Sequence, residues 1–236
     1  LEQRVQAGYG HLLQDNPRFW TALGRSLLRR AQESGDGEGF GEAFKVFLHA
    51  QRLEPESGPY ALNAERISAM CGYQDRAAGW LERALTTESL AGQQDLVGGH
   101  GDPFWLRWIR AVAEQRADLP LFHAECYVRL GLLLAGQGHV EPARKSLEAA
   151  YEMDPANVRG IRTLAELYWV SGECGRAADF LHRHLVDLPF DFDARKRLAA
   201  MWRELGRAAQ ADELDRESEC MQQALVVPDF AGPGAV

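Results

Sequence analysis

The sequence is poor in most features that would announce a chemistry. No run of about 18 apolar residues occurs, and a helix shorter than that does not cross a bilayer. No signal-peptide pattern is visible. Basic charge is in deficit: 26 Lys and Arg face 34 Asp and Glu, a formal net charge of -8. That balance opposes the phosphate attraction on which non-specific nucleic-acid binding depends. Cysteine is scarce. Cys71, Cys126, Cys174 and Cys220 are far apart, so there is neither a C-x-x-C pair nor zinc-ligand spacing. Isolated thiols on helices read as small buried hydrophobes, here without disulfides between them, and their number fits a reducing, cytoplasmic setting.

Catalytic motifs are missing as well. Gly98-Gly99-His100-Gly101 lacks the Lys-Ser/Thr of a phosphate loop. Asp36-Gly37-Glu38 lacks the later ligands of a calcium loop. His182 and His184 stand two apart on a predicted helix, so they point to different sides and share no metal. Neither G-x-S-x-G nor H-E-x-x-H occurs. The expectation is therefore a chain with no catalytic residue, no metal and no cofactor, and not an enzyme.

What the sequence does contain is a period. Over 124–157, 158–191 and 192–225, Leu130, Leu164 and Leu198 recur 34 residues apart, as do Gly138, Gly172 and Gly206, and Ala143, Ala177 and Ala211. Gly131 is matched by Ala165 and Ala199, Leu134 by Tyr168 and Trp202, and Pro155 by Pro189. Apolar residues three and four apart mark one face of a helix. The recurrent glycine ends a first helix in a left-handed turn, a small residue admits a close partner helix, and proline stops the second helix. Residues 58–91 repeat the pattern with Gly72, Ala77, Leu81 and Ala84. Trp20, Leu23, Gly24 and Leu27, then Ala43, Phe47, Ala50 and Pro55, supply another unit. Its excess of seven residues falls in the glycine-rich stretch 34–41, read as a flexible loop.

A 34-residue unit of this kind, helix, turn, helix and proline, resembles the tetratricopeptide repeat. The match covers 17–91 and 124–225, and departs from the family at Asp215, where a large apolar residue is expected. The resemblance implies an all-α fold, a right-handed superhelix of tandem helix-turn-helix repeats (an α-solenoid) with about five full repeats plus one degenerate unit. The expected organisation is a helix in 1–16, two repeats in 17–91, a degenerate repeat or inserted helix in 92–123, three regular repeats in 124–225 and a disordered tail in 226–236. Within 92–123, Asp102 and Pro103 start a helix whose Phe104, Trp105, Trp108, Ile109 and Val112 share one arc. The opening Leu1-Glu2 and the lone helix that follows suggest a segment of a longer protein.

By the same resemblance the chain is a protein-protein interaction scaffold that binds a peptide or partner protein in a groove lined by first helices. The alternative is a docking or regulatory segment of a larger bacterial enzyme or secretion assembly, such as a glycosyltransferase or polysaccharide-export protein. Trp20 and Trp202 fall at core positions, and Trp105 and Trp108 read as core, whereas Trp80 fits either role. Register positions 2, 5, 9 and 12 face the groove. In 158–191 they are Arg159, Arg162, Glu166 and Trp169, and in 192–225 Asp193, Lys196, Ala200 and Arg203. Trp169 adjoins core Tyr168 and so turns about 100° away from it. Four basic residues on this stripe of an acidic chain, with an aromatic anchor, point to an acidic or mixed peptide. Arg25 and Arg66 extend the stripe towards the N-terminus.

The resemblance also says which peptide is not the ligand. Family members that hold the Glu-Glu-Val-Asp tail of chaperones use a clamp of Lys and Asn, then Asn, then Lys and Arg. The matching positions here are Val128, Leu132, Thr163, Asp193 and Arg197, and only the last fits. Asn63 fits in the N-terminal array, but its partners there are Thr21 and Arg25. A labelled peptide ending in that tail is expected not to bind; micromolar affinity by fluorescence anisotropy would overturn this.

Overall fold

A computed structural model of the chain describes residues 13–35, 37–97 and 103–225. These residues form 11 α-helices and a single 3-10 turn, and among them there is no strand. The chain divides into two compact units, Leu1–Pro155 and Ala156–Val236. The first contains α1 (Pro17–Ser34), α2 (Gly37–Leu53), α3 (Gly58–Met70), α4 (Gln74–Leu85), the 3-10 turn (Gln93–Asp95), α5 (Pro103–Ala113), α6 (Leu119–Gly136) and α7 (Val140–Met153). The second contains α8 (Val158–Val170), α9 (Cys174–Asp187), α10 (Phe192–Glu204) and α11 (Ala208–Leu225). The helices pack as the antiparallel pairs α1/α2, α3/α4 and α6/α7 in the first unit and α8/α9 and α10/α11 in the second.

Local chemistry explains where these hairpins start and turn. Every first helix opens on a polar side chain that accepts a backbone N–H: Asn16 from Arg18, Ser57 from Tyr60, Asp118 from Leu121, Asn157 from Gly160 and Asp191 from Ala194. Each such cap satisfies an orphan donor and contributes about 1 kcal/mol. Four hairpins turn on Gly72, Gly138, Gly172 and Gly206, all at φ between 76° and 84°, a left-handed conformation that side chains with a Cβ resist. The backbone N–H after each glycine returns to the preceding helix, as from Glu173 to Tyr168 O at 2.9 Å. Pro55, Pro155 and Pro189 each follow the end of a second helix by two residues. Small residues act where helices touch: a Cβ on Gly131 would lie 2.6 Å from Leu147 Cγ, and one on Gly24 would lie 2.9 Å from the Phe47 ring.

One expectation changes. The described residues of 34–41 are not the expected loop, because α1 runs to Ser34 and α2 starts at Gly37. The seven extra residues lengthen both helices. Buried Phe44 and partly buried Phe40 pack with Leu27, Leu28 and Ile67, and this apolar contact outweighs the poor helix propensity of the glycines. The division into units falls between Pro155 and Ala156, within the expected stretch of three regular repeats. Of the two readings of 92–123, the contact of α4 with α6 favours the inserted helix over the degenerate repeat. On α5, Phe104 and Trp108 are buried and Trp105 is half-buried, while Ile109 stays 45% exposed despite sharing their arc. The expected helix at 2–14 lies almost wholly outside the described residues, as do the expected tail, Asp102 and the Gly98–Gly101 stretch. No helix of the described residues is long and apolar enough to cross a membrane.

The four cysteines are unbonded. Burial holds the Cys126 thiol well above its ordinary pKa, so it acts as a small hydrophobe. Cys220 is exposed, contrary to the reading of all four as buried.

Leu164 is 1% exposed at its repeat position in α8. Leu164→Ala is expected to destabilise by about 2–4 kcal/mol through lost burial and the cavity left behind. An unfolding midpoint equal to that of the parent would mean the repeat register is misplaced.

Candidate functional site

The residues singled out on the second unit lie on its two first helices, α8 and α10, and most of their charges are already met. Arg162 forks onto Asp191, with Nε donating to Oδ2 at 3.0 Å and Nη2 to Oδ1, and its Nη1 donates to Asp193 at 2.8 Å. Glu166 receives both arms of Arg197, at 2.5 and 2.7 Å. Arg203 bridges Asp212 and Asp215, at 2.9 and 2.5 Å. Asp215, where the repeat pattern calls for a large apolar side chain, has its side chain 40% exposed and so stays solvated as well as paired with Arg203. The expected basic stripe is therefore largely neutralised. A count along one helix misses this, because the compensating carboxylates belong to the next helix or to its cap.

Two groups on this face keep their freedom to act. Trp169 is half-buried, and the Arg197 guanidinium lies over its ring at 5.5 Å. A cation over an indole face is attracted by the ring quadrupole and holds the ring in place. Lys196 is exposed and has no partner among the described residues. Arg159 is exposed at the start of α8.

Beneath this face lies a network that sequence reading missed. Asp191 is buried, caps α10 through Ala194, binds Arg162, and meets His184 Nε2 at 2.9 Å. Burial alone would raise the Asp191 pKa, but the hydrogen bonds from Arg162, His184 and the Ala194 N–H outweigh it and hold the carboxyl below its ordinary 3.8. Its cap position was the available signal.

The two basic residues proposed to extend the stripe, Arg25 and Arg66, are in the first unit and face its own inserted segment. Arg25 reaches Asp95 at 3.4 Å, and Arg66 donates to Val97 O at 2.9 Å. Arg18 approaches the same Asp95 at 3.5 Å, and Tyr60 Oη donates to it at 3.1 Å. Burial, and then the Asp95 charge, push the Tyr60 hydroxyl pKa up. Asn63 donates to Asp95 O at 3.0 Å and accepts from Val97 N–H at 2.7 Å. A second unforeseen cluster joins α3 to α6. Arg129 donates to Glu65 at 3.1 Å and to Glu125 at 2.8 Å, with both carboxylates buried. Burial raises the Glu65 pKa, and Arg129 only partly offsets this. Trp80 is half-buried beside an open groove of 760 Å³ lined also by Phe44, Leu48, Arg76 and Arg83. Among the described residues no three His, Cys, Asp or Glu side chains converge as metal ligands would.

Comparison with solved structures bears on the fold. A MamA fragment (residue 41 to the end) from Desulfovibrio magneticus RS-1 matches with a TM-score of 0.60 at 16% identity, covering 88% of this chain and 98% of that one. YrrB, described as a TPR protein with an unusual peptide-binding site, matches at 0.57 with 12% identity, covering 92% and 93%. PilF from Pseudomonas aeruginosa matches at 0.55 with 15% identity, covering 87% and 78%. No protein-family profile and no curated protein matches the sequence. At such identities the likeness establishes the fold, which is the helical-repeat fold that the 34-residue period implies.

The Asp191 network gives the second unit a pH signature. A carboxyl whose folded pKa lies below its unfolded value contributes stability that is fully present above the unfolded value. That stability is lost as pH falls through the folded value. Asp191→Asn is expected to cost about 1.5–3 kcal/mol at pH 7, the range for hydrogen bonds to a charged group. The gap between variant and parent should begin to narrow as pH falls below about 3.9, the unfolded value, and close only below the lower folded value, where the parent carboxyl is protonated in both states. Urea midpoints measured from pH 7 to pH 2.5 check this; a gap independent of pH would refute it.

Proposed function

We propose that this chain, built on the tetratricopeptide-repeat fold, is a protein-interaction scaffold that holds a peptide segment of a partner against α8 and α10 around Trp169. The observation that carries this reading is Trp169 itself. An indole left half-exposed beside the core, and steadied by Arg197, has the character of the aromatic anchors that dominate interface energetics. The same fold carries a peptide-binding site in YrrB.

The pairing of the neighbouring charges narrows the partner's chemistry. Arg162, Glu166 and Arg203 are bound within the unit, so they shape the walls of the face more than they add charge to it. Arg25 and Arg66 leave the reading because they serve the inserted segment. The partner segment then presents an apolar or aromatic side chain to Trp169 and a carboxylate to Lys196, with Arg159 near the start of α8. It is a mixed segment with one well-placed acid.

Peptides selected from a displayed random library on the full chain test the reading. They are expected to slow hydrogen exchange on α8 and α10. A Trp169→Ala, Lys196→Glu variant should weaken them at least tenfold, about 1.4 kcal/mol, with unchanged circular dichroism. Arg162 is left intact because its removal would break the Asp191 network. Selected peptides that protect other helices, or that bind the variant equally, would place the site elsewhere.

A further inference from the structure

The segment after α4 is held by the first helices of its own unit in the way a bound peptide is held. Asn63, 3% exposed on α3, brackets Leu96: its amide nitrogen donates to the carbonyl of Asp95 and its amide oxygen accepts from the N–H of Val97. One side chain thus satisfies a donor and an acceptor two residues apart, which recognises main chain whatever its sequence. Arg66 takes the carbonyl two residues further on, that of Val97. Upstream, Gly58 N–H donates to Ser89 O at 3.0 Å, and Ser57 Oγ donates to Ala91 O at 2.7 Å. The Asp95 carboxylate is met from two different hairpins, by Arg18 and Arg25 of α1 and by Tyr60 of α3. Gly92 lies so close to Tyr60 that a Cβ there would come within 2.5 Å of the ring. Leu96 is 6% exposed and packs with Phe104 and Trp108 of α5.

We propose that the α1–α3 face, with Arg18, Arg25, Tyr60, Asn63 and Arg66, is a recognition surface for a segment with an Asp followed by two branched apolar residues, and that residues 89–97 occupy it as an internal ligand. The chemistry separates into sequence-independent grip on the main chain by Asn63 and Arg66, and selection of an acid by Arg18, Arg25 and Tyr60. A segment tethered to its own site competes at an effective concentration in the millimolar range, so an outside peptide of the same chemistry is held off until the internal one is loosened. The surface belongs to the first unit and does not depend on the role given to Trp169.

The probe is a labelled peptide with the sequence of residues 88–98, Glu-Ser-Leu-Ala-Gly-Gln-Gln-Asp-Leu-Val-Gly. It is titrated against the full chain and against an Asp95→Lys full chain, whose internal segment carries the wrong charge for Arg18 and Arg25. The expected result is at least tenfold tighter binding to the variant, abolished when the peptide's own Asp is changed to Lys. A folded variant that binds the peptide no better than the parent overturns the proposal. So does a variant that loses its helical circular dichroism, because residues 89–97 would then be core and not ligand. Hydrogen exchange on the unsubstituted chain gives a second reading. The Val97 N–H is expected to exchange at least 100-fold faster than the amides of Leu62–Arg66 beneath it, through local release of the segment. Equal protection, with both exchanging only on global unfolding, overturns the proposal.

Discussion

Everything in this fold depends on how closely two helices of a hairpin approach, and that distance is set at one alanine in each second helix. Ala43, Ala77, Ala143, Ala177 and Ala211 are each 0% exposed. A methyl group at that point lets the first helix lie against the second, and the larger side chain four residues on closes the space between them. That side chain is Phe47, Leu81, Leu147 or Leu181, all at most 1% exposed. In the hairpin of α10 and α11 the same position is Asp215, which pairs with Arg203.

The parts of this plan that were legible in the sequence are those set by residues close together in the chain. The turn glycines, the buried alanines and the stopping prolines each do a local job at a fixed offset, so their period survives even where the rest of the unit drifts. The caps Asn16, Ser57, Asp118, Asn157 and Asp191 are equally local, and they could have been read the same way. The stretch 34–41 was misread for a physical reason. Its glycines are poor helix formers, but Phe40 and Phe44 have an apolar cluster to join, and tertiary burial overrides local propensity.

The candidate site was less legible because its charges are settled across hairpins. Arg162 finds Asp191 and Asp193 some 29 and 31 residues away, and Arg197 finds Glu166 at 31. These separations approach one repeat length, so neighbouring units meet through side chains that a single-helix reading counts as free. Trp169 stays half-exposed and Lys196 exposed, and these two carry the proposed site. The surface on α1 and α3 was invisible for the same reason, since Asn63 and Asp95 stand 32 residues apart.

The insertion shows how an array can carry a segment without losing its stack. Its length, two residues short of a repeat, invited the reading of a worn-down unit. Yet α4 meets α6 directly, and Arg129 spans from Glu125 on α6 to Glu65 on α3. Removing that arginine would strand two buried carboxylates, a situation that typically costs about 3–5 kcal/mol. The stack thus closes behind the insertion, and Leu96, Phe104 and Trp108 of the displaced chain join one apolar cluster with Leu62 of α3 and Phe122 and Cys126 of α6. Once there, its main-chain polar groups need partners that water no longer supplies. Asn63, Arg66 and Ser57 provide them. A surface that meets this requirement for its own chain already has the groups needed to take the main chain of another.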